Sequence, residues 1–93
     1  MREKKRAHLC ISGRVQGVCF RLETRRSAQA LGVTGWVRNR SDGSVEAVCE
    51  GDDADVQSLI EWCRRGPRLA QVDEVAVKWE PFSGEYGDFD VTR

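Results

Sequence analysis

An α+β sandwich, with two helices laid on one face of an antiparallel sheet, is the fold class this 93-residue chain predicts. Three observations carry it. Four short runs alternate apolar and polar residues, two longer stretches repeat apolar residues at helical spacing, and the two kinds follow one another in the order β-α-β-β-α-β with a short strand-like tail.

Ala7 to Ser12 opens the pattern, with Leu9 and Ile11 on one face and His8, Cys10 and Ser12 on the other, as in a half-buried strand. Phe20, Thr24, Ala28 and Leu31 then recur at helical spacing, and Gly32 is placed to end that helix in a left-handed turn. Gly35 to Arg40 and Ser44 to Glu50 are two alternating runs joined by Ser41-Asp42-Gly43, a hairpin turn with glycine where positive φ is needed. Asp52 or Asp53 caps a second helix whose core stripe is Val56, Leu59, Ile60 and Cys63, and Gly66-Pro67 stops it. Val72 to Trp79 is a further strand with Val75, Val77 and Trp79 on one face, and Phe89 to Thr92 a last short one. This order is the ferredoxin-like split βαβ plan. The plan hosts many activities, so function has to come from the site.

Length allows one core, hence one domain over residues 1–93, with residues 1–6 expected as a solvated, frayed terminus. The apolar stretches are far too short to cross a bilayer, and the charged Met1 to Arg6 precedes no apolar segment, so neither membrane insertion nor export is expected. Zero net charge conceals an asymmetry. Residues 1–26 hold eight Lys/Arg and two acids, a net +6, and the remainder is −6. Cys10, Cys19, Cys49 and Cys63 contain no C-x-x-C pair, and His8 is the single histidine, so no metal site is expected. Cys10 and Cys49 fall on opposite faces of the sheet and cannot bridge. Free thiols and a reducing cytoplasm follow as expectations.

Ser12 to Arg21, Ser-Gly-Arg-Val-Gln-Gly-Val-Cys-Phe-Arg, joins the first strand to the first helix with two glycines, two arginines and no acid. That is the composition of an anion cradle. Glycine lets successive N–H groups converge, the helix start adds a positive dipole end, and an arginine closes the site with a planar fork. A lone helix-end arginine is ordinarily solvated, but Arg21 sits where the helix dipole disfavours a cation, and an anion in the loop reverses that penalty. Arg14 is as well explained by solvent or loop shape. Asn39 shares a strand face with Val37, on the helix side; from spacing alone it is equally a turn residue closing the strand or an amide that holds a water.

Gly13-Arg14-Val15-Gln16-Gly17-Val18-Cys19-Phe20-Arg21, then Leu31-Gly32-Val33-Thr34-Gly35-Trp36-Val37-Arg38-Asn39, then Asp42-Gly43-Ser44-Val45, resembles the acylphosphatase family, in its small, free-standing form. The resemblance runs through nearly the whole chain to Asp88-Phe89. It implies hydrolysis of an acyl phosphate to a carboxylate and inorganic phosphate, with no metal or organic cofactor. On the matching positions it makes Arg21 the phosphate-binding arginine and Asn39 the water-positioning asparagine. The loop Val15, Gln16, Gly17, Val18 and Cys19 matches the backbone cradle, in which Cys19 contributes an N–H rather than its sulfur. Inorganic phosphate or sulfate is expected to occupy the same loop. Glu23 departs from the aromatic or apolar residue frequent at its position in the family.

Acyl phosphates have a good carboxylate leaving group, so orientation and charge stabilisation matter more than a strong base. Direct attack by a water held at Asn39, with the proton passing to a phosphate oxygen and no phosphoenzyme, is the expected route. Cys19 to Arg25 satisfies the bare Cys-x5-Arg spacing of cysteine-based phosphatases. Its intervening residues contain no glycine, include Glu23 and fall on a helix, so they cannot aim their N–H groups at one phosphate. Nucleic-acid binding is not expected either, because the exposed face of the first strand presents His8, Cys10 and Ser12 rather than stacking aromatics. The expected state is a cytoplasmic monomer acting on a small-molecule acyl phosphate.

Overall fold

The computed structural model describes residues 3–93, so Met1 and Arg2 of the expected frayed terminus lie outside the described residues. In chain order the elements are β1 (Lys4–Arg14), α1 (Phe20–Leu31), β2 (Thr34–Asn39), β3 (Val45–Asp52), α2 (Asp53–Arg65), β4 (Gln71–Glu80) and β5 (Phe89–Val91). The sheet order is β4-β1-β3-β2-β5. β1 lies antiparallel between β3 and β4, and β2 is antiparallel to β3. The ferredoxin-like plan is therefore the one that forms.

Two expectations need correction. β5 runs parallel to β2, with Gly35 opposite Phe89 and Val37 opposite Val91, so the sheet is mixed rather than wholly antiparallel. Residues 81–88 carry the chain from one edge of the sheet to the other and deliver β5 at the end where β2 begins. Lys4 to Arg6 are not frayed but are the first residues of β1, paired with Asp52, Gly51 and Glu50 of β3. Their charges find partners across the sheet. Lys4 Nζ bonds Asp52, and the Arg6 guanidinium bonds Glu80 at 2.9 Å and Glu50 at 3.2 Å.

The core lies between sheet and helices. Ala7, Leu9 and Ile11 of β1, Val37 of β2, and Val45, Ala47 and Cys49 of β3 face Phe20, Thr24 and Ala28 of α1 and Val56, Leu59, Ile60 and Cys63 of α2. Gly32 ends α1 at φ 74°, and its N–H returns to carbonyls of the last turn. On β4, Val75 is buried, whereas Trp79, expected on the same face, is exposed near the strand's end with the Lys5 ammonium 5.5 Å from its ring.

The opposite face of the sheet is covered in part. Ser44 to Glu50 are all buried; on this face Ser83 and Gly84 close over Glu50, while His8 and Arg38 flank Glu46. Burial raises the cost of ionising Glu50, yet hydrogen bonds from Ser83, Arg6 and Gly84 outweigh it and hold the carboxyl below its ordinary range. Glu46 is similarly balanced: burial opposes its charge, and His8 at 2.6 Å and Arg38 at 2.7 Å restore it. All four cysteines are free; Cys10 is half-buried on this second face, and Cys49 lies in the core. Burial pushes the Cys63 thiol up to about 12 and that of Cys49 well above the ordinary thiol value. No helix among the described residues is long and apolar enough to cross a membrane.

Candidate active site

β1 breaks register between Ser12 and Gly13 against β4, and Gly13 takes φ 122°. A side chain there would strike the Gln71 carbonyl and the Asp73 N–H group, so glycine is what lets the strand leave the sheet. The loop that follows is held from beneath. Val15 and Val18 are buried in the core, which leaves its backbone, Gln16, Gly17 and Cys19 toward the surface. Gly17 turns the chain at φ 76° with open space where a Cβ would be.

Cys19 begins α1 in the left-handed region, φ 63° and ψ 24°, and no other non-glycine among the described residues has positive φ. That conformation costs about 1–2 kcal/mol. Its side chain makes no capping bond, although its carbonyl accepts the Glu23 N–H at 3.1 Å. Helix starts ordinarily use Ser, Thr, Asp or Asn to satisfy their free N–H groups. Here the protein does not. Among the described residues, the N–H groups of Val15 to Cys19 donate to no turn, loop or side-chain acceptor.

A cavity of about 560 Å³ opens over this loop. Of the residues singled out in the sequence, Val15, Gln16, Gly17, Cys19, Arg21 and Asn39 line it, joined by Phe20, Leu22, Arg25 and Val91. Val18 does not; its side chain is turned into the core and borders a neighbouring depression with Glu23 and Trp62. No acid or histidine is in the wall. His8 is engaged with Glu46 on the other face of the sheet, and no group of potential metal ligands occurs among the described residues. A depression of about 670 Å³ beside Gln57, Glu61 and Arg65 is the open side of α2 alone, where nothing converges.

Asn39 is the last residue of β2, opposite Val45 and on the helix side of the sheet. Its Oδ1 is buried and has no hydrogen-bond partner among the described residues. The adjoining turn is closed without it. Asp42 Oδ1 accepts the Ser44 N–H at 2.9 Å and its hydroxyl at 2.6 Å, and Arg40 N–H donates to the Ser44 carbonyl. These bonds from Ser44 hold the Asp42 carboxyl below its ordinary range.

Two features escaped the sequence. The Gln16 amide donates to the carbonyls of Arg40 at 2.8 Å and Ser44 at 2.9 Å, tying the loop to both ends of the hairpin beside Asn39. Nothing local to Gln16 signals partners 24 and 28 residues away. Arg25 was the other; its four-residue spacing from Arg21 was the available signal. Glu23, the departure noted above, faces away from the cavity and pairs with Arg26 at 3.0 Å.

Comparison with known proteins adds to this geometry. The family model described as acylphosphatase matches residues 7–91. An acylphosphatase of Pelotomaculum thermopropionicum is 53% identical over 88 residues, which is 95% of this chain and 96% of that protein. The solved structure of an acylphosphatase from Coxiella burnetii is similar at a TM-score of 0.91 and 39% identity, over 96% of this chain and 93% of that one. Another, from Bacillus subtilis, reaches 0.92 at 30% identity, over 96% and 99%.

Proposed function

From the premise that the chain belongs to the acylphosphatase family and hydrolyses the carboxyl–phosphate bond of acyl phosphates, we propose how its residues divide the work. The N–H groups of Val15, Gln16, Gly17, Val18 and Cys19 cradle the phosphoryl oxygens, and the Arg21 guanidinium clamps them from the first turn of α1. Asn39 holds a water against the phosphorus. The water oxygen forms the new P–O bond as the bond to the acyl oxygen breaks; the acyl group leaves as a carboxylate, and the water's proton passes to a phosphoryl oxygen. Charge develops beside fixed dipoles and a guanidinium, so the step asks for no base, thiolate, metal or organic cofactor.

The observation that carries this assignment is the buried, unpartnered Oδ1 of Asn39 in the wall of an acid-free cavity. Leaving such an acceptor unpaired costs about 1–3 kcal/mol, so it calls for a partner, and in the wall of this cavity a bound water is one that fits. The unspent loop N–H groups support the cradle in the same way. Inorganic phosphate or sulfate is expected to bind there as product or mimic. The free thiols suit a reducing cytoplasm. Nucleic acid is not a partner in this assignment, because Glu46, Glu50 and Glu80 occupy the sheet face that such domains use for stacking.

Asn39→Ala tests it. Hydrolysis of benzoyl phosphate is expected to fall about 10²- to 10³-fold, the loss typical of removing one positioned polar group from a reacting centre, while inorganic phosphate still binds by calorimetry. A chelator leaves wild-type turnover unchanged, and a phosphate monoester is a poor substrate. Wild-type turnover in Asn39→Ala removes Asn39 from the mechanism.

A further inference from the structure

We propose that Arg25 forms a second anion subsite in the same cavity, and that this enzyme favours acyl phosphates whose acyl part carries its own anionic group. The proposal rests on the assignment of the loop and Arg21 to the phosphoryl group. Arg21 and Arg25 are four residues apart on α1, so they stand on one face about 6 Å apart along the axis, and both line the cavity. Neither makes an ion pair among the described residues, whereas the adjacent Arg26 is paired with Glu23.

Placing two uncompensated cations together on one helix face is unfavourable. Like charges at this spacing repel, and the first turn of the helix disfavours the cation at Arg21 further. A single phosphoryl group relieves that at Arg21 only, since the loop N–H groups and one guanidinium already surround it. Arg25 lies a turn farther from the loop. The cavity extends from the loop past Arg21 to Leu22 and Arg25, so its wall reaches beyond the groups that a phosphoryl group alone would use. Leu22, exposed, and Val91 supply apolar wall between the two arginines and β5. An acyl body resting on Leu22 and Val91 would point a distal carboxylate or phosphonate at Arg25, which offers either a planar fork.

The test compares benzoyl phosphate with 3-carboxybenzoyl and 3-phosphonobenzoyl phosphates, reading the ratio of kcat/KM for each charged substrate over the neutral one. In the wild type the ratio is expected to be about 10 or more, expressed in KM, because the distal group does not change during reaction. The two charged substrates show whether carboxylate or phosphonate is preferred. Arg25→Gln brings the ratio to about 1, and Arg25→Glu brings it below 1. Arg40→Gln, which alters a basic residue in the neighbouring depression beside Asn39, keeps the wild-type ratio. A wild-type ratio near 1, a ratio unaffected in Arg25→Gln, or one lost in Arg40→Gln instead overturns the subsite. Each ratio is internal to one variant, so loss of inorganic phosphate binding in Arg21→Gln, read by calorimetry, tests the phosphoryl cradle separately.

Discussion

Replacing Gln16 with methionine removes two hydrogen bonds while keeping most of the side chain's length and flexibility. The bonds lost run to the carbonyls of Arg40 and Ser44, which flank the hairpin next to Asn39. Each is worth about 1 kcal/mol or less, because both carbonyls lie where water can replace the amide. For a domain of this size that corresponds to a fall in melting temperature of about 5–10 °C. The effect on rate is expected to be larger in proportion. With the loop released from the hairpin, the phosphoryl group and the water at Asn39 are no longer held at a fixed separation, and misplacement by about 1 Å costs up to about 10²-fold. kcat for benzoyl phosphate is therefore expected to drop about 10- to 100-fold, with the affinity for inorganic phosphate within about 3-fold of wild type, since the backbone cradle and Arg21 are untouched. The decisive assay is a double-mutant cycle. If Gln16 acts by setting the position of Asn39, then Gln16→Met costs little further turnover once Asn39 is alanine. Equal losses in both backgrounds would refute the reasoning, as would a fall in phosphate affinity that accounts for the whole loss of kcat/KM.

Two further outcomes follow from the same geometry. Cys19→Ser keeps near-wild-type turnover, because position 19 is assigned a backbone donor; near-complete loss with folding intact by circular dichroism would instead implicate the thiolate. Acidification destabilises the fold through Glu50, whose carboxyl is held below the ordinary 4.5 when folded. The unfolded chain then binds more protons as pH falls below 4.5, so stability present above that value is lost through the folded pKa; melting temperature declines in that window, and Glu50→Gln, which costs about 3 kcal/mol at neutral pH by unbalancing a buried ion pair, shows a shallower acid slope.

What could be seen in advance divides along the range of the interactions. Residues whose structure is set by near neighbours were legible: the stripe Phe20, Thr24, Ala28 on α1, the alternation of Leu9 and Ile11, the face of Asn39 fixed by Val37, and the left-handed turn at Gly32. Residues whose structure is set by distant partners were not. Lys4 and Arg6 read as solvated charges because Asp52, Glu50 and Glu80, which neutralise them, are 44 to 74 residues away. Glu46 and Glu50 alternate like outward residues of a half-exposed strand; Glu50 is buried under Ser83 and Gly84, and Glu46 between His8 and Arg38, contacts with no periodic signature. The parallel pairing of β5 depends on the crossing made by residues 81–88.

The site itself follows from topology once the strand order is known. β1 and β2 both run antiparallel to β3, one on each side of it, and are therefore parallel to each other. Their C-terminal ends lie at the same end of the sheet. The loop after β1 and Asn39 at the end of β2 are thus necessarily neighbours, separated only by the width of β3, about 10 Å for two strand spacings. That gap is one a substrate phosphoryl group and a water can help to fill. It is also the gap that Gln16 spans, reaching from the loop to the carbonyls of Arg40 and Ser44 across the start of β3. A split βαβ unit with a glycine loop after its first strand and an amide at the end of its second has both halves of this site facing one cavity. Whether they cooperate then depends on how rigidly the intervening strand is bridged, which is what the Gln16 cycle measures.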